Sequence, residues 1–443
     1  MQLLRRIFRK NGSNTIKNDL TKQKVASKRI CRLNLYRVIT FLSITHKKRQ
    51  NHFNFWAVDM RTVNDLNKHP IHSHPNQLDS LNHELADLHK KIMVKVPDVD
   101  RIAVISYEKK SNLLKTYAES TQAIDVFSHH EFPLDACKSL KICADSAEPR
   151  VINDIQTEFS PDSTHSKWLI DNGYRSSYSV PIYNFQHFIG FVFFNSHKKG
   201  LFTALVQHEL TPFCDLISFV VNAEYSLLHA IVASAELTKE LSPGYKNESK
   251  EHMERISLYS QLIAKEVADL YKLDDETIEC IHLFSRLHDI GKAALPTDIL
   301  LKPDPLIQEE RDKMKNHVED GIALVDKIIQ NLGSPSHPSI EILKSIIACH
   351  QEFLDGSGYP NGLSHKDVPV AARIITVANI FDALTSHRPY KQACSVPAAM
   401  LELEKMVCNG KLDCNCVSAL REHQEYLGEI IRQFPEKDPS DIH

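Results

Sequence analysis

The 443-residue sequence lacks any run of 18 or more apolar residues, the length that a membrane-spanning helix requires. The best candidate, residues 38–44, is much too short. The amino-terminal segment also lacks the apolar core and the small-residue cleavage site of a secretory signal. We therefore expect a cytoplasmic protein without a transmembrane segment.

The sequence also lacks the CxxC pairs that structural zinc sites commonly use. Its 10 cysteines are irregularly spaced in a long chain, which indicates free thiols rather than a disulfide framework. Four of them lie near the carboxyl terminus, but their spacing does not match a zinc site: Cys394, Cys408, Cys414 and Cys416.

The net charge of −3 conceals a strongly basic start. Residues 1–50 contain 14 lysines and arginines but a single acidic residue, Asp19. Such a segment can contact nucleic acid or anionic lipid, but its composition is more typical of a disordered extension. We interpret residues 1–79 as a basic, disordered tail and linker, and we expect no nucleic-acid partner.

Residues 80–240 alternate between helical and strand patterns. Residues 81–96 have apolar side chains at helical spacing, and residues 100–120 predict two strands joined by a polar turn. Residues 176–196 predict a hairpin that turns near residues 184–186. A helix is expected from about Thr203 to Leu241.

This order of elements resembles a GAF domain, and the segment SVPIYNFQHFIGFVFF carries the likeness. The resemblance covers roughly residues 80–225 and implies an α/β sensor domain. Two roles stay open for this domain. It could bind an unidentified small ligand in a pocket, or it could serve as a dimerisation module with an empty pocket. The long exit helix suggests a homodimer in which it pairs with its copy.

Residues 248–435 form a second domain with a mainly helical pattern, after Pro243 and Gly244 end the exit helix. Five predicted helices, the first starting at His252, carry polar residues at suggestive places: His252, His288 with Asp289, His317, His350, and Asn379 with Asp382. We expect Asp382 to bond the main chain or Arg388.

The adjacent pair His288 and Asp289 is predicted at the end of a helix. Neighbouring helical residues point about 100° apart, so the imidazole and the carboxylate can face two metal positions. A bridging carboxylate between two ions activates water and stabilises phosphoryl oxygens. Imidazole together with carboxylate suits Fe, Mn, Zn or Ni better than Ca.

Four motifs in this region, LHDIGKAALP, NHVEDG, CHQEFLDGSGYPNGL and VANIFDALTSHRPYK, closely resemble the HD-GYP family of the HD phosphohydrolase superfamily. The resemblance implies an all-α domain that hydrolyses cyclic di-GMP with two or three divalent metal ions, iron or manganese. The expected fold class is therefore multidomain α+β, with a GAF-like α/β sensor followed by an all-α HD-GYP domain.

By position, the resemblance implies two metal sites that share the carboxylate of Asp289. The first site would be formed by His252, His288, Asp289 and Asn379. The second would be formed by Asp289, His317, His350 and Gln351. Glu248 matches a glutamate that holds a third ion in some members of the family.

The resemblance also implies contacts with the nucleotide. Lys292 would contact a phosphate oxygen, and with Asp289 it is assigned to catalysis. The glycine-rich turn would approach the nucleotide through Gly358, Tyr359 and Pro360. Arg388 and Lys391 would hold the other phosphate.

Two departures from the family pattern bear on activity. Gln351 stands where the family has histidine, and Asn379 stands where it has aspartate; an amide oxygen is a weak ligand for such metals. Two functions therefore stay open: an impaired cyclic di-GMP phosphodiesterase of bacterial signalling, and a catalytically degenerate receptor or protein-interaction module. A hydrolase of another nucleotide is less favoured, because the GYP turn and SHRPYK point to cyclic di-GMP.

Overall fold

The computed structural model describes residues 80–121, 127–159, 164–242, 249–302, 304–386 and 393–436. All of them lie within one compact unit, Ser73–His443. The predicted basic tail, residues 1–79, lies outside the described residues.

The first half of the described chain is an α/β domain, called here the sensor domain. In chain order its elements are α1 (Leu81–Lys95), β1 (Arg101–Glu108), β2 (Leu113–Thr121), β3 (Glu131–Pro133), α2 (Lys138–Ser146), β4 (Arg150–Ile152), α3 (Ile155–Glu158), α4 (Thr164–Asp171), β5 (Ser176–Asn184), β6 (His187–Ser196) and α5 (Ala204–Leu241). The strands form one antiparallel sheet in the order β3-β2-β1-β6-β5-β4.

Alternation along β1 explains why the sheet is covered on both faces. Ile102 and Val104 lie in a core with α1 and α5, whereas Ala103 and Ile105 lie in a second core with α2. The predicted hairpin is present between β5 and β6, where Phe185 takes a left-handed conformation with φ 54°.

Helix α5 connects the two halves of the described chain. Its first part packs in the sensor core through Phe213 and Ile217, and its second part packs in the next core through Leu228 and Ile231. In the described part of the chain this one helix is long and apolar enough to cross a membrane, by length and composition only. A helix that contributes to two cores has the same composition, so the expectation of no transmembrane segment stays a prediction.

The second half of the described chain is helical. Its helices are α6 (Lys250–Glu266), α7 (Ala268–Tyr271), α8 (Asp275–Phe284), α9 (Thr297–Leu300), α10 (Gln308–Lys315), α11 (His317–Asn331), α12 (Pro338–Cys349), α13 (Val370–Thr385), α14 (Val396–Cys408), α15 (Cys414–Glu422) and α16 (Gln424–Gln433). The predicted order, an α/β domain followed by an all-helical domain, is confirmed.

Two predicted helix ends were wrong. Helix α6 begins at Lys250 rather than at His252, because the Ser249 side chain caps it by accepting the His252 amide at 3.0 Å. Helix α8 ends at Phe284 and therefore does not reach His288 and Asp289.

The early end of α8 is explained by two side-chain hydroxyls. The hydroxyls of Ser257 and Ser285 each donate to the carbonyl of His282 at 2.8 Å, where an α-helix would use the amide four residues on. The chain tightens into two 3-10 turns, Ser285–Leu287 and Ile290–Ala294, and His288 and Asp289 lie between them.

Candidate metal centre

The two 3-10 turns direct the side chains of His288 and Asp289 toward one another rather than toward separate positions. Nε2 of His288 lies 3.2 Å from Oδ2 of Asp289, and both residues are buried. Because His288 and Asp289 do not lie on an α-helix, the helical geometry that we expected for them does not apply. They contribute to one compact centre.

Three histidines around Asp289 have the same hydrogen-bonding arrangement. In each ring Nδ1 lies next to the main-chain carbonyl three residues earlier: Ser285 for His288 at 2.8 Å, Met314 for His317 at 2.7 Å, and Ile347 for His350 at 3.0 Å. A carbonyl can only accept, so Nδ1 carries the proton and Nε2 of the neutral ring keeps its lone pair. Burial lowers the pKa of His350, which favours this neutral form.

The three Nε2 lone pairs converge on the Asp289 carboxylate. Nε2 of His317 and Nε2 of His350 lie 3.2 Å and 3.3 Å from Oδ1, and 3.3 Å from each other. His288 approaches Oδ2 instead. The two oxygens of Asp289 thus face different histidines.

This convergence leaves acceptor atoms facing acceptor atoms. Among the described atoms, Nε2 of His288 and Oδ1 of Asp289 are buried without a hydrogen-bond partner. Asp289, His317 and His350 also offer ligand atoms that all lie within 4.8 Å of one another. Neutral imidazole nitrogens and a carboxylate are the donor set of a divalent transition metal, so the residues present fit such an ion.

Two glycines explain how His317 comes so close to Asp289. A Cβ on Gly291 would lie 1.8 Å from the carbonyl oxygen of His317 and 2.5 Å from the amide nitrogen of Gly321. The turn after Asp289 therefore packs directly on the first turn of α11. The glycines in the DIGK and HVEDG motifs serve this close approach.

His252 is oriented by a buried carboxylate. Its Nδ1 lies 2.7 Å from Oδ2 of Asp382, and Arg255 binds the same carboxylate through Nε at 2.6 Å and Nη2 at 3.0 Å. Because Asp382 takes Nδ1, Nε2 of His252 is left for another partner, and its ring lies 6.0 Å from that of His288. Asp382 thus bonds His252 and Arg255; Arg388, a partner that we expected, lies outside the described residues.

Lys292 lies beside the same centre, with Nζ 2.6 Å from Oδ2 of Asp289. Burial would raise the pKa of Asp289, but the charge of Lys292 opposes burial, and the pKa is held well below its usual value. Asp289 is therefore an anion, ready to bind a cation.

The glycine-rich turn after α12 is built against the main chain beside His350. A Cβ on Gly358 would lie 2.4 Å from the amide nitrogen of Phe353 and 2.6 Å from the carbonyl oxygen of Gln351, so only glycine fits. The buried carboxylate of Glu352 accepts the amides of Asn361 and Leu363 at 2.7 Å and 3.0 Å. These contacts fix the turn that presents Tyr359.

Tyr359 lies at the edge of the centre. Its ring centroid is 6.4 Å from that of His317, and Nζ of Lys315 lies 5.7 Å from it. Burial raises the pKa of Tyr359 to about 12, so the hydroxyl keeps its proton. Pro360, the next residue, is exposed.

The two departures from the family pattern, Gln351 and Asn379, each lie close in the sequence to a residue of the centre or its support. Gln351 directly follows His350, and its carbonyl accepts the Tyr359 amide at 3.1 Å. Asn379 lies on α13, three residues before Asp382 and thus on the same side of the helix. Three other predicted site residues, Glu248, Arg388 and Lys391, lie outside the described residues.

Comparison with known families bears on this helical half of the chain. Residues 235–416 match the family model described as the HD domain. This part of the chain is an HD domain. The prediction from the HD-type motifs is thereby confirmed.

Curated relatives of the HD domain carry phosphodiesterase names. "Cyclic di-GMP phosphodiesterase response regulator RpfG" from Xanthomonas campestris is 38% identical over 183 residues, 41% of this chain and 45% of that protein. "3'3'-cGAMP-specific phosphodiesterase 2" from Vibrio cholerae is 32% identical over 56% of this chain and 48% of that protein. A "Cyclic di-GMP phosphodiesterase" from Thermotoga maritima is 32% identical over 56% of this chain and 61% of that protein. The chain spans about half the length of these relatives.

Solved structures resemble the chain over about a third of its length. One is "the GAF domain/HD domain protein from Geobacter sulfurreducens", 15% identical over 33% of this chain and 95% of that one, with a TM-score of 0.28. Another is a phycocyanobilin-bound GAF domain from a cyanobacterial phytochrome. It is 16% identical over 34% of this chain and 88% of that chain, with a TM-score of 0.27. TM-scores this low carry no argument about the fold, which rests on the strand order described above.

Arg255 and Glu352, which support the centre of the HD domain, were missed in the sequence, and Asp382 was noted there without its contact with His252. Arg255 and Asp382 hold His252, and Glu352 holds the glycine-rich turn. Arg255 lies three residues after His252 on the same helix, a spacing that could have drawn attention to it. The pairing of α6 with Asp382, 127 residues further along the chain, had no local signal.

Proposed function

We propose that the HD domain hydrolyses a cyclic dinucleotide in bacterial signalling, and that cyclic di-GMP is the substrate. The observation that carries this proposal is the convergence of three Nε2 lone pairs on the Asp289 carboxylate. The names of the relatives supply the substrate class.

Divalent ions held at Asp289 would supply activated water and offset the charge of the phosphodiester. His288, His317 and His350 would hold the ions through Nε2, and Asp382 would orient His252 for the same purpose. Iron or manganese suits this mixture of nitrogen and oxygen donors. Gln351 and Asn379 would complete the set with neutral oxygens, and Glu248 would serve a third ion.

The protein groups beside the ions would position the substrate. Lys292 carries a positive charge beside Asp289, where it would contact a phosphate oxygen. Tyr359, in a turn fixed by Gly358 and Glu352, would donate its hydroxyl to the nucleotide. Pro360 extends that surface, and Arg388 and Lys391 are assigned to the second phosphate.

A catalytically degenerate receptor is the alternative, and Gln351 and Asn379 are the observation that favours it. Each replaces a charged or strongly basic ligand of the family pattern with an amide. The chain would then bind cyclic di-GMP, or a protein partner, without cutting it.

Hydrolysis by protein purified without oxygen and supplied with Fe or Mn separates the two functions. Cyclic di-GMP and 3'3'-cGAMP are given separately to the wild type, to Asp289→Ala, and to the double variant Gln351→His/Asn379→Asp. We expect the wild type to turn over cyclic di-GMP faster than Asp289→Ala does. Turnover by the double variant alone would instead support the receptor, and a preference for 3'3'-cGAMP would change the substrate.

The sensor domain is proposed to bind a small polar ligand. Arg101, fully buried, binds Glu119 at 2.6 Å and Asn195 at 2.8 Å. Among the described atoms nearby, Nε of Arg101, Oε1 of Glu119 and Nε2 of His165 are buried without a hydrogen-bond partner. Buried polar atoms are normally satisfied, so a ligand with both donors and acceptors would suit them.

Helix α5 is proposed to pair with its copy in a homodimer. Along its outer side several large apolar residues are exposed: Leu205, Leu216, Phe219, Leu237 and Leu241. They lie on one helix whose opposite side already packs in two cores. A second copy would cover this stripe and join two sensor domains.

We also propose that the protein is located in the cytoplasm.

A further inference from the structure

A second buried group of ionisable side chains lies where the sensor domain meets the HD domain. Glu224 comes from α5, Glu276 from α8, and His337 is the residue that caps α12. Each is at most 5% exposed, and each offers a ligand atom within 4.8 Å of the other two. The group is separate from the centre around Asp289.

Both carboxylates are bonded to the sensor domain. The hydroxyl of Tyr117, on β2, donates to Oε1 of Glu224 at 2.6 Å. The main-chain amide of Asn82, in the first turn of α1, donates to Oε2 of Glu276 at 3.4 Å. Glu276 therefore ties a helix of the HD domain to the amino-terminal end of a sensor helix.

The charge of this group is not balanced. Within the part of the chain that the structure describes, neither Glu224 nor Glu276 forms an ion pair with a lysine or an arginine. The other ionisable groups that face the pair add no positive charge: Tyr117, Asp274 and Cys280. Two buried carboxylates cannot both stay ionised at this distance without a cation or a proton.

The hydrogen bonds of His337 favour a proton over a metal ion. Nδ1 of His337 accepts the main-chain amide of Ser339 at 3.2 Å and lies 2.7 Å from its hydroxyl. Since Nδ1 is an acceptor, the proton of the neutral ring is on Nε2, which then has no lone pair for a metal. The histidines around Asp289 have the opposite tautomer.

We propose that Glu224 and Glu276 share one proton across the contact between the sensor domain and the HD domain, and that loss of this proton loosens the contact. The chemistry is that of two neighbouring carboxyl groups that retain a single proton between them. The contact would then respond to pH, and to any sensor ligand that moves Tyr117 or α1.

The raised pKa values of both carboxyl groups keep at least one proton on the pair near neutral pH. Burial raises the pKa of Glu224 to about 7, and burial together with the charge of Glu224 raises the pKa of Glu276 to about 8. Both pKa values lie above the ordinary value of 4.5. The contribution of the pair to stability is therefore fully present below about pH 4.5 and is lost as the pH rises through 7 to 8.

Infrared difference spectroscopy of the full-length chain between pH 6 and pH 9 tests the shared proton directly. The wild type should lose the band of a protonated carboxyl group as the pH rises. The double variant Glu224→Gln/Glu276→Gln should lack this change, because neither side chain can then ionise, and each single variant should keep the band of one carboxyl group at most. Glu240→Gln, which removes an exposed glutamate from the same helix as Glu224, should behave as the wild type does.

Hydrogen exchange over the same pH range tests the loosening. Exchange rates are first corrected for intrinsic exchange. In the wild type, the amides of α1 and α8 (residues 81–95 and 275–284) should then lose protection by at least about tenfold, the equivalent of one pKa unit. The Gln variants should lose much less protection. The absence of the carboxyl band in the wild type would overturn the proposal, as would a metal ion that Asp289→Ala retains and Glu276→Gln loses. Neither experiment measures hydrolysis, so the outcome is independent of the proposed activity.

Discussion

Nε2 of His317 lies 3.2 Å from Oδ1 of Asp289, and no proton lies between them because the His317 ring donates from Nδ1 to the carbonyl of Met314. A lone pair thus faces an anionic oxygen in a buried place. The contact is unfavourable until a cation comes between the two atoms. The same relationship holds for His350, so both histidines direct a lone pair into the candidate metal centre.

Asp382→Asn should weaken metal binding without removing a direct ligand. The amide cannot hold His252 and Arg255 as the carboxylate does, so the affinity for metal should fall by about 10–100-fold. Breaking this buried ion pair should also cost about 3–5 kcal/mol of unfolding free energy. Metal titration and chemical denaturation measure the two effects.

Asp413→Asn is the matched control for Asp382→Asn. Asp413 is another buried aspartate of the HD domain, bonded to Tyr271 at 2.7 Å and to Arg373 at 3.2 Å, but it contacts none of the histidines of the centre. Its loss should lower stability and leave metal affinity unchanged. Equal losses of metal affinity in both variants would contradict the positioning role of Asp382.

Gly358→Ala should weaken nucleotide binding while metal binding persists. The added methyl group would lie within 2.6 Å of the main chain at Gln351 to Phe353, so the turn must shift and carry Tyr359 with it. We expect cyclic di-GMP affinity to fall at least about tenfold, or about 1.4 kcal/mol, in equilibrium dialysis with metal content counted in parallel.

Gly428→Ala provides the control glycine, because there the methyl group would meet only the flexible end of Arg432 at 3.3 Å. That variant should bind cyclic di-GMP as the wild type does. If Gly358→Ala binds with unchanged affinity, the turn does not form part of the nucleotide site.

Phe219→Glu should dissociate the proposed homodimer. Phe219 is 70% exposed on the outer side of α5, where a charge would be buried between two copies. Light scattering of the wild type should give about twice the chain mass of 50.5 kDa, and the variant about that mass itself. Phe185→Glu, at a site that is 96% exposed in the β5–β6 turn, should leave the mass unchanged. A monomeric wild type would rule out this role for α5.

The sequence predicted the elements that have a strong local period. The β5–β6 hairpin, the long helix after Thr203 and the helices that carry His317 and Asn379 were all expected from apolar spacing. The histidines and Asp289 were found because their motifs match a family, and the fold brings His288, Asp289, His317 and His350 together.

The sequence did not predict contacts that join distant segments. The end of α8 depends on hydroxyls from Ser257 and Ser285 that compete for the carbonyl of one residue, His282. The link between His252 and Asp382 spans 130 residues, and the link between Tyr117 and Glu224 spans 107. Local periodicity and spacing contain no information on such pairs, because packing alone decides which helices meet.

Elemental analysis of protein purified without oxygen and supplied with Fe or Mn tests the central claim most directly. The wild type should hold at least one ion per chain, and Asp298→Asn, which changes an exposed aspartate on α9, should hold as much. Asp289→Asn should lose the metal, because the carboxylate that faces three imidazoles becomes neutral. Equal metal content in Asp289→Asn and the wild type would contradict a metal centre at Asp289.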